Sequence, residues 1–178
     1  PEGEPDEGQI RTIADALAVN LGKTRQSGHN VIFASLALRA LHDHPEYATP
    51  TIVTGLRKLI EQFNGAVSGR GYYGKQRGWI VGDQVKLQAD EGFPLYDSQQ
   101  EMADVVIQEL IDSGSLRRQG FGGLFHITNH ATGLDDLSRY GYRDLATKGL
   151  AAHHHHVRLW RSLPDVEDEL GALVCAEH

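Results

Sequence analysis

Apolar residues recur at helical spacing along most of this chain, and this spacing limits the possible folds more than any other feature. The first such stripe, over residues 9–26, consists of Ile10, Ile13, Ala14, Leu17 and Leu21. Residues three or four positions apart share one face of an α-helix, so the stripe predicts a helix with one buried side. Residues 29–43 are apolar around most of the helical circumference, which is typical of a helix buried in a core.

Capping signals place the starts of later helices. Thr49 followed by Pro50 predicts an N-cap with proline in the first helical position. Ser98 and Glu101 have the spacing of a capping box ahead of another apolar stripe. Further stripes predict helices over residues 124–140 and 143–163. We therefore predict an all-α fold of about six helices in antiparallel hairpins, either an irregular bundle or part of an α/α toroid.

Residues 65–95 interrupt this pattern with repeated glycines, and we treat them as a Gly-rich insertion. Within it, residues 79–81 and 84–87 are expected to form a small β-hairpin around Gly82 and Asp83. A segment this long without a helix is unusual in a compact domain, which favours a functional loop or lid.

Residues 69–79 of the insertion combine basic and aromatic side chains and contain no acid. Such stretches can stack against planar rings and hold anions. The sequence therefore predicts that this segment covers a substrate, with four candidate substrate-binding residues: Tyr72, Tyr73, Lys75 and Trp79. The alternative is a mobile surface loop in which the aromatic residues serve as anchors.

The chain length of 178 residues suits one domain. We assign residues 9–164 to it, between an acidic lead-in over residues 1–8, expected to be disordered, and an acidic tail over residues 165–178. These ends hold nine of the 24 acidic residues, which leaves 15 acids against 17 bases in the domain. Because no broad basic surface results, the composition argues against binding to duplex nucleic acid, and we expect a small-molecule substrate instead.

The apolar runs and the cysteine count bear on where the protein is expected to act. No apolar run approaches the ~20 residues that a membrane helix needs, so we expect no membrane partner. The single cysteine, Cys175, excludes a disulfide within the chain and favours the cytoplasm.

Histidine is the compositional outlier, with ten copies. His126 and His130 lie one helical turn apart at the edge of an apolar arc. Two imidazoles at this spacing can bind one metal ion, as in the helical HExxH motif. Ile127 stands where that motif carries its general base, which excludes a metalloprotease of this type.

The run of four histidines at residues 153–156 divides between two faces of its helix. At 100° per residue, His153 and His156 face the core, whereas His154 and His155 are expected to face solvent.

The two inward pairs lie at similar distances from the turn at Gly141. An antiparallel hairpin would therefore bring His126, His130, His153 and His156 to one level. Neutral imidazoles in such a group bind transition metals, here Fe, Zn or Mn. We predict that these four residues are metal ligands or catalytic groups of an enzyme that oxidises, or less favourably hydrolyses, a small organic substrate.

Two alternatives remain at this stage. The same histidines could line a pocket for an organic ligand without a metal. The domain could also be a non-catalytic helical binding module in which the histidines are structural. A histidine-based pH response is a further possibility: imidazoles packed together resist joint protonation, so the fold would weaken as the pH falls through about 6.5.

Overall fold

The computed structural model describes residues 3–87 and 92–173, and it confirms an all-α fold with a small β-hairpin. Seven α-helices occur in these ranges: α1 (Arg11–Asn20), α2 (His29–Asp43), α3 (Pro50–Glu61), α4 (Gln99–Ser113), α5 (Gly123–Arg139), α6 (Arg143–Arg161) and α7 (Glu167–Leu170). Within the described ranges, no helix combines the length and apolar character needed to cross a membrane.

Helix α5 is the centre of the packing, with α2 and α6 as its main neighbours. Its buried side chains join those of α1, α2 and α6 in one apolar core. Gly149 explains how closely α6 approaches, since a Cβ there would lie 2.3 Å from the Leu134 side chain. This glycine weakens the helix locally but allows tight contact between α5 and α6.

The capping signals are confirmed in detail. The Thr49 hydroxyl accepts a hydrogen bond from the Ile52 backbone N–H, with Pro50 in the first position of α3. Ser98 Oγ accepts from the Glu101 N–H at 3.1 Å. The Glu101 carboxylate accepts in turn from the backbone N–H that precedes the cap, at residue 97.

The first helix is shorter than predicted, because the expected helix over residues 9–26 ends at Asn20. The amide of Asn20 donates to the backbone oxygen of Ile60 at 3.1 Å and to the Asn64 side chain at 2.9 Å. Its own side-chain oxygen accepts from Asn30 at 2.9 Å. These bonds tie the end of α1 to α3 and α2, and the chain then turns toward α2.

A hairpin is present and includes the predicted strand over residues 79–81, but the prediction of its partner strand over residues 84–87 is wrong. Strand β1 (Arg70–Tyr72) pairs antiparallel with β2 (Trp79–Val81), with Tyr72 opposite Trp79. Residues 82–84, expected at the turn and the start of the second strand, form a 3₁₀ turn. The Asp83 carboxylate holds this turn by accepting from the Ser68 N–H and hydroxyl.

Backbone hydrogen bonds fix the hairpin to the chain ahead of α5. Tyr72 N donates to the Gln119 oxygen at 2.8 Å, and Phe121 N donates to the Arg70 oxygen at 2.7 Å. The chain ahead of α5 therefore lies along the hairpin like a third strand, and these bonds hold the hairpin in place. Residues 88–91, the later part of the predicted insertion, lie outside the described residues.

Both acidic ends contact the domain where they are described. Asp6 N donates to the Ala48 oxygen at 2.9 Å, just ahead of α3. Helix α7 lies in the predicted tail, and its Glu169 carboxylate accepts from the Tyr72 hydroxyl at 2.9 Å. Residues 174–178, which include Cys175, lie outside the described residues.

Candidate functional site

A surface cavity of about 570 Å³ opens beside the hairpin. It is lined by the turn before α2, the turn before α5, and hairpin residues that include Arg70 and Trp79. No acidic side chain is among these lining residues. A cavity of this size suits a small organic molecule.

Backbone strain is concentrated in the two turns that line this cavity. Gln26, Ser27 and Phe121 have φ angles of 45°, 59° and 49°, and no other described residue apart from glycine has a left-handed φ. Gln26 N donates to the Val67 oxygen, and Ser27 N donates to the Ser68 oxygen. Strain of this kind persists only where the surrounding structure enforces it, and it clusters at functional sites.

Two histidines meet at this cavity. His29 is the first residue of α2 and lines the cavity, and His126 lies in the first turn of α5. Their Nε2 atoms are 3.1 Å apart, and their rings are nearly perpendicular. The packing of α2 against α5 creates this pair from residues 97 positions apart in sequence.

The remaining nitrogen of each ring is held by the backbone. His126 Nδ1 lies 2.8 Å from the Gly122 oxygen. The backbone of Gln26 also interacts with the His29 ring and favours its protonated form, and we assign this contact to Nδ1 because Nε2 faces His126. A carbonyl oxygen only accepts hydrogen bonds, so the Nδ1 atom of each ring carries the hydrogen. When the rings are neutral, each Nε2 atom therefore carries a lone pair and no hydrogen.

Two lone pairs at this distance repel unless a cation lies between them. One shared proton satisfies both nitrogens, whereas two protons would place like charges together. Burial lowers the pKa of His29, and the nearby His126 lowers it further, against the opposing effect of the bond to Gln26. The pair is therefore suited to hold one proton rather than two.

Three of the four predicted site histidines form a second, fully buried group. His130 Nδ1 lies 3.3 Å from His156 Nδ1, and the His130 and His153 rings are 5.1 Å apart. The Nε2 atoms of His153 and His156 donate to backbone oxygens at residues 127 and 121. His126 is the fourth predicted residue, and it bonds to His29 instead.

The buried group is held in its neutral form. Burial lowers the pKa of His153 to about 4 and that of His156 to about 3, although their backbone hydrogen bonds oppose the shift. Burial also lowers the pKa of His130, helped by the other two imidazoles. His130 Nε2 has no hydrogen-bond partner among the described residues. In the described ranges, no three His, Cys, Asp or Glu side chains are grouped so as to hold a metal ion.

The expectation that His154 faces solvent is wrong. Only 2% of His154 is exposed, and its ring stacks on Phe93 at 4.4 Å while Nε2 donates to the Phe93 oxygen. His155 is partly buried and bonds to Thr24 through Nδ1 at 2.9 Å. The polar face of α6 is covered by segments that are distant in sequence, which helical periodicity does not reveal.

Of the four predicted substrate-binding residues, Trp79 lines the cavity, whereas the other three make contacts elsewhere in the fold. Trp79 lines the cavity and is 52% exposed. Tyr72 packs beside it, with ring centroids 5.7 Å apart, but its hydroxyl donates to Glu169. Tyr73 is buried with its hydroxyl 2.6 Å from Ser162 Oγ, and the Lys75 backbone N–H donates to the carboxylate of α7.

Sequence reasoning missed His29 and Arg70 as site residues. One signal was available, since a glycine stands at the start of both α2 and α5 and a histidine follows within the first turn.

A scan against models of protein families, a search of curated proteins and a search of solved structures each found no match to this chain.

Proposed function

We propose that this protein is an enzyme that acts on a small organic substrate in the cavity, with His29 and His126 as its proton-transfer pair. The facing Nε2 atoms, 3.1 Å apart with His29 in the cavity wall, carry the proposal. The strained turns that position both rings support it, because such strain is typical of functional sites.

The pair can act first as a base and then as an acid, because the single proton that it takes up is shared between the two rings. A neutral Nε2 takes a proton from the substrate, and the resulting imidazolium returns it to the product. The bond from His126 to the Gly122 oxygen fixes which nitrogen reacts. Transfer by a positioned histidine contributes roughly 10²- to 10⁴-fold to a rate.

A metal ion is the second candidate for the cation between these nitrogens. Ligating histidines almost always donate their other N–H to a carbonyl or carboxylate, as both rings do here. In this form His29 and His126 would be the ligands; Fe or Mn would suit the oxidation expected from the sequence, and Zn the hydrolysis. Elemental analysis of purified wild type and His126→Gln tests it, with near-stoichiometric metal expected in the wild type alone.

The competing hypothesis is a non-catalytic binding module. The backbone hydrogen bonds of His153, His154 and His156 favour a structural role for those three residues. They do not account for the His29–His126 pair, which lies at the cavity and not in the core.

Hydrogen–deuterium exchange into candidate substrates tests proton transfer without knowledge of the product. A panel of small keto and carboxylic acids is incubated with the protein in D₂O and followed by proton NMR. We expect exchange of an acidic C–H, reduced at least ~100-fold in His29→Gln and in His126→Gln. The control is His42→Gln, at the other end of α2, where the ring bonds to Tyr142.

The absence of exchange across the whole panel would overturn the proposal. Exchange that persists in both histidine variants would do the same.

A further inference from the structure

We infer that the cavity takes a small planar organic anion, with its carboxylate at Arg70 and its ring against Trp79. This inference rests on the proposed function in treating the cavity as the substrate site. It adds the chemical class of the ligand, which the proton-transfer pair does not specify.

The charge of the lining favours an anion. Arg70 and His29 are the lining residues that can carry positive charge, and no lining residue is acidic. Arg70 is exposed, and among the described residues its side chain has no ion pair. By contrast, Arg39 and Arg161 each contact a carboxylate. A guanidinium binds a carboxylate through two parallel hydrogen bonds, so Arg70 offers a specific anchor.

The hairpin register brings this anchor next to a flat surface. Arg70 and Tyr72 are two positions apart on β1 and therefore share one face of the hairpin. Trp79 is paired with Tyr72 across the two strands, so it lies on that face as well. Side chains diagonal to one another across a strand pair are ~7–8 Å apart, a distance that the long side chains of Arg70 and Trp79 can span, so one small molecule can contact both.

The site is also formed in advance. The hydrogen bond from Phe121 N to the Arg70 oxygen fixes the hairpin against the turn before α5. Trp79 is 52% exposed although it lines the cavity, so one part of an aromatic surface is available to a ligand. A preformed aromatic surface binds a planar molecule without the cost of ordering a loop.

The starts of α2 and α5 add to the positive potential at this cavity. Their N-caps, Gly28 and Gly122, offer no side-chain acceptor to the first turn. Thr49 and Ser98 provide such acceptors to α3 and α4. The positive ends of these two helix dipoles reinforce Arg70 and His29 rather than forming a site by themselves.

Isothermal titration with benzoate tests the inference, with benzamide and inorganic phosphate as comparison probes. Benzamide keeps the ring without the charge, and phosphate keeps the charge without the ring. We expect saturable binding of benzoate, and at least tenfold weaker binding of both other probes. Binding of benzoate should weaken at least tenfold in Arg70→Ala, and it should change less than twofold in Lys58→Ala, an exposed cation on α3.

The outcomes separate this inference from the proposed function. Equal binding of benzoate and benzamide, or full binding of benzoate by Arg70→Ala, would overturn the inference even if proton exchange depends on His29 and His126. Benzoate binding that depends on Arg70, and that survives in His126→Gln, supports the inference even if no compound exchanges. An equal affinity for phosphate would show a simple anion site and would also overturn it.

Discussion

His29 and His126 point their Nε2 atoms at each other across 3.1 Å, although each ring already donates its other N–H to the backbone. Helix α2 supplies one ring and helix α5 the other, each from its first turn. The pair thus reports on the packing of the two helices, and any change that shifts either turn should disturb it.

Gly122 should be required for the position of His126. A Cβ at residue 122 would lie 2.1 Å from His126 Cγ, and its φ of +75° disfavours any other residue. Gly141 is a matched control, since its φ is +92° and a Cβ there meets nothing within 4 Å. Both alanine variants incur a left-handed backbone strain of about 1 kcal/mol. We expect Gly122→Ala to cost about 1 kcal/mol more, through loss of the His126 hydrogen bond.

Urea unfolding of both variants measures this difference, and imidazole NMR follows the pair. The signals of His29 and His126 should change in Gly122→Ala and stay as in the wild type in Gly141→Ala. Equal losses of stability with an undisturbed pair would contradict the assigned role of Gly122.

Local signals predicted the helices well where a cap marks their start. Thr49 and Ser98 each placed a helix start correctly, because a capping side chain acts within one turn. The end of α1 was missed because Asn20 is held by residues of α3 and α2, which local sequence does not encode.

The candidate site was predicted less well for the same reason. Periodicity placed His130, His153 and His156 inside, and the structure groups them there. His126 was assigned to the same group, but the start of α2 supplies a nearer partner in His29. The solvent face assigned to His154 is covered by Phe93, from a segment 61 residues away. Contacts of this kind depend on tertiary packing, and a helical wheel contains no information about them.

The stability of the fold should fall as the pH drops below 6.5. The pKa values of His153 and His156 are about 4 and about 3 in the folded protein, against about 6.5 when unfolded. Their contribution is complete above pH 6.5 and is lost as the unfolded chain takes up protons that the folded chain excludes. At pH 5 the loss is about 2 kcal/mol for each residue.

Urea unfolding at pH 7, 6 and 5 measures this dependence. His156→Gln keeps a side-chain donor for the Phe121 oxygen, and it should remove about a third of the contribution that the three buried histidines make to the slope. His44→Gln, at an exposed position, is the comparison variant for the loss of one histidine. A free energy of unfolding that is constant from pH 7 to 5 would contradict the buried, neutral assignment.

The ion pair between Glu109 and Arg161 should contribute more to the free energy of unfolding than an exposed ion pair does. The Glu109 side chain is only 6% exposed, and the Arg161 guanidinium also lies over the Phe93 ring at 3.9 Å. Replacing Arg161 with methionine leaves a buried carboxylate without its partner, which costs about 3–5 kcal/mol.

The exposed pair of Arg139 and Asp135 is the control for that prediction. Its side chains are 73% and 44% exposed, so Arg139→Met should cost about 0–1 kcal/mol. Thermal or urea unfolding compares the two variants at pH 7. Similar costs would mean that Glu109 is solvated or protonated rather than paired.

Glu169 should control both the ionisation of Tyr72 and the attachment of α7. Its carboxylate accepts from the Tyr72 hydroxyl and from the Lys75 N–H, and the first of these bonds raises the pKa of Tyr72. Glu169→Gln removes the negative charge and keeps the shape, so the pKa of Tyr72 should fall toward its ordinary value near 10. Glu167→Gln, on the same helix, should leave it unchanged.

Tyrosine NMR titration measures the pKa, and amide exchange at Lys75 should speed up in Glu169→Gln alone. An unchanged Tyr72 pKa with slow exchange would mean that the hairpin is held without α7.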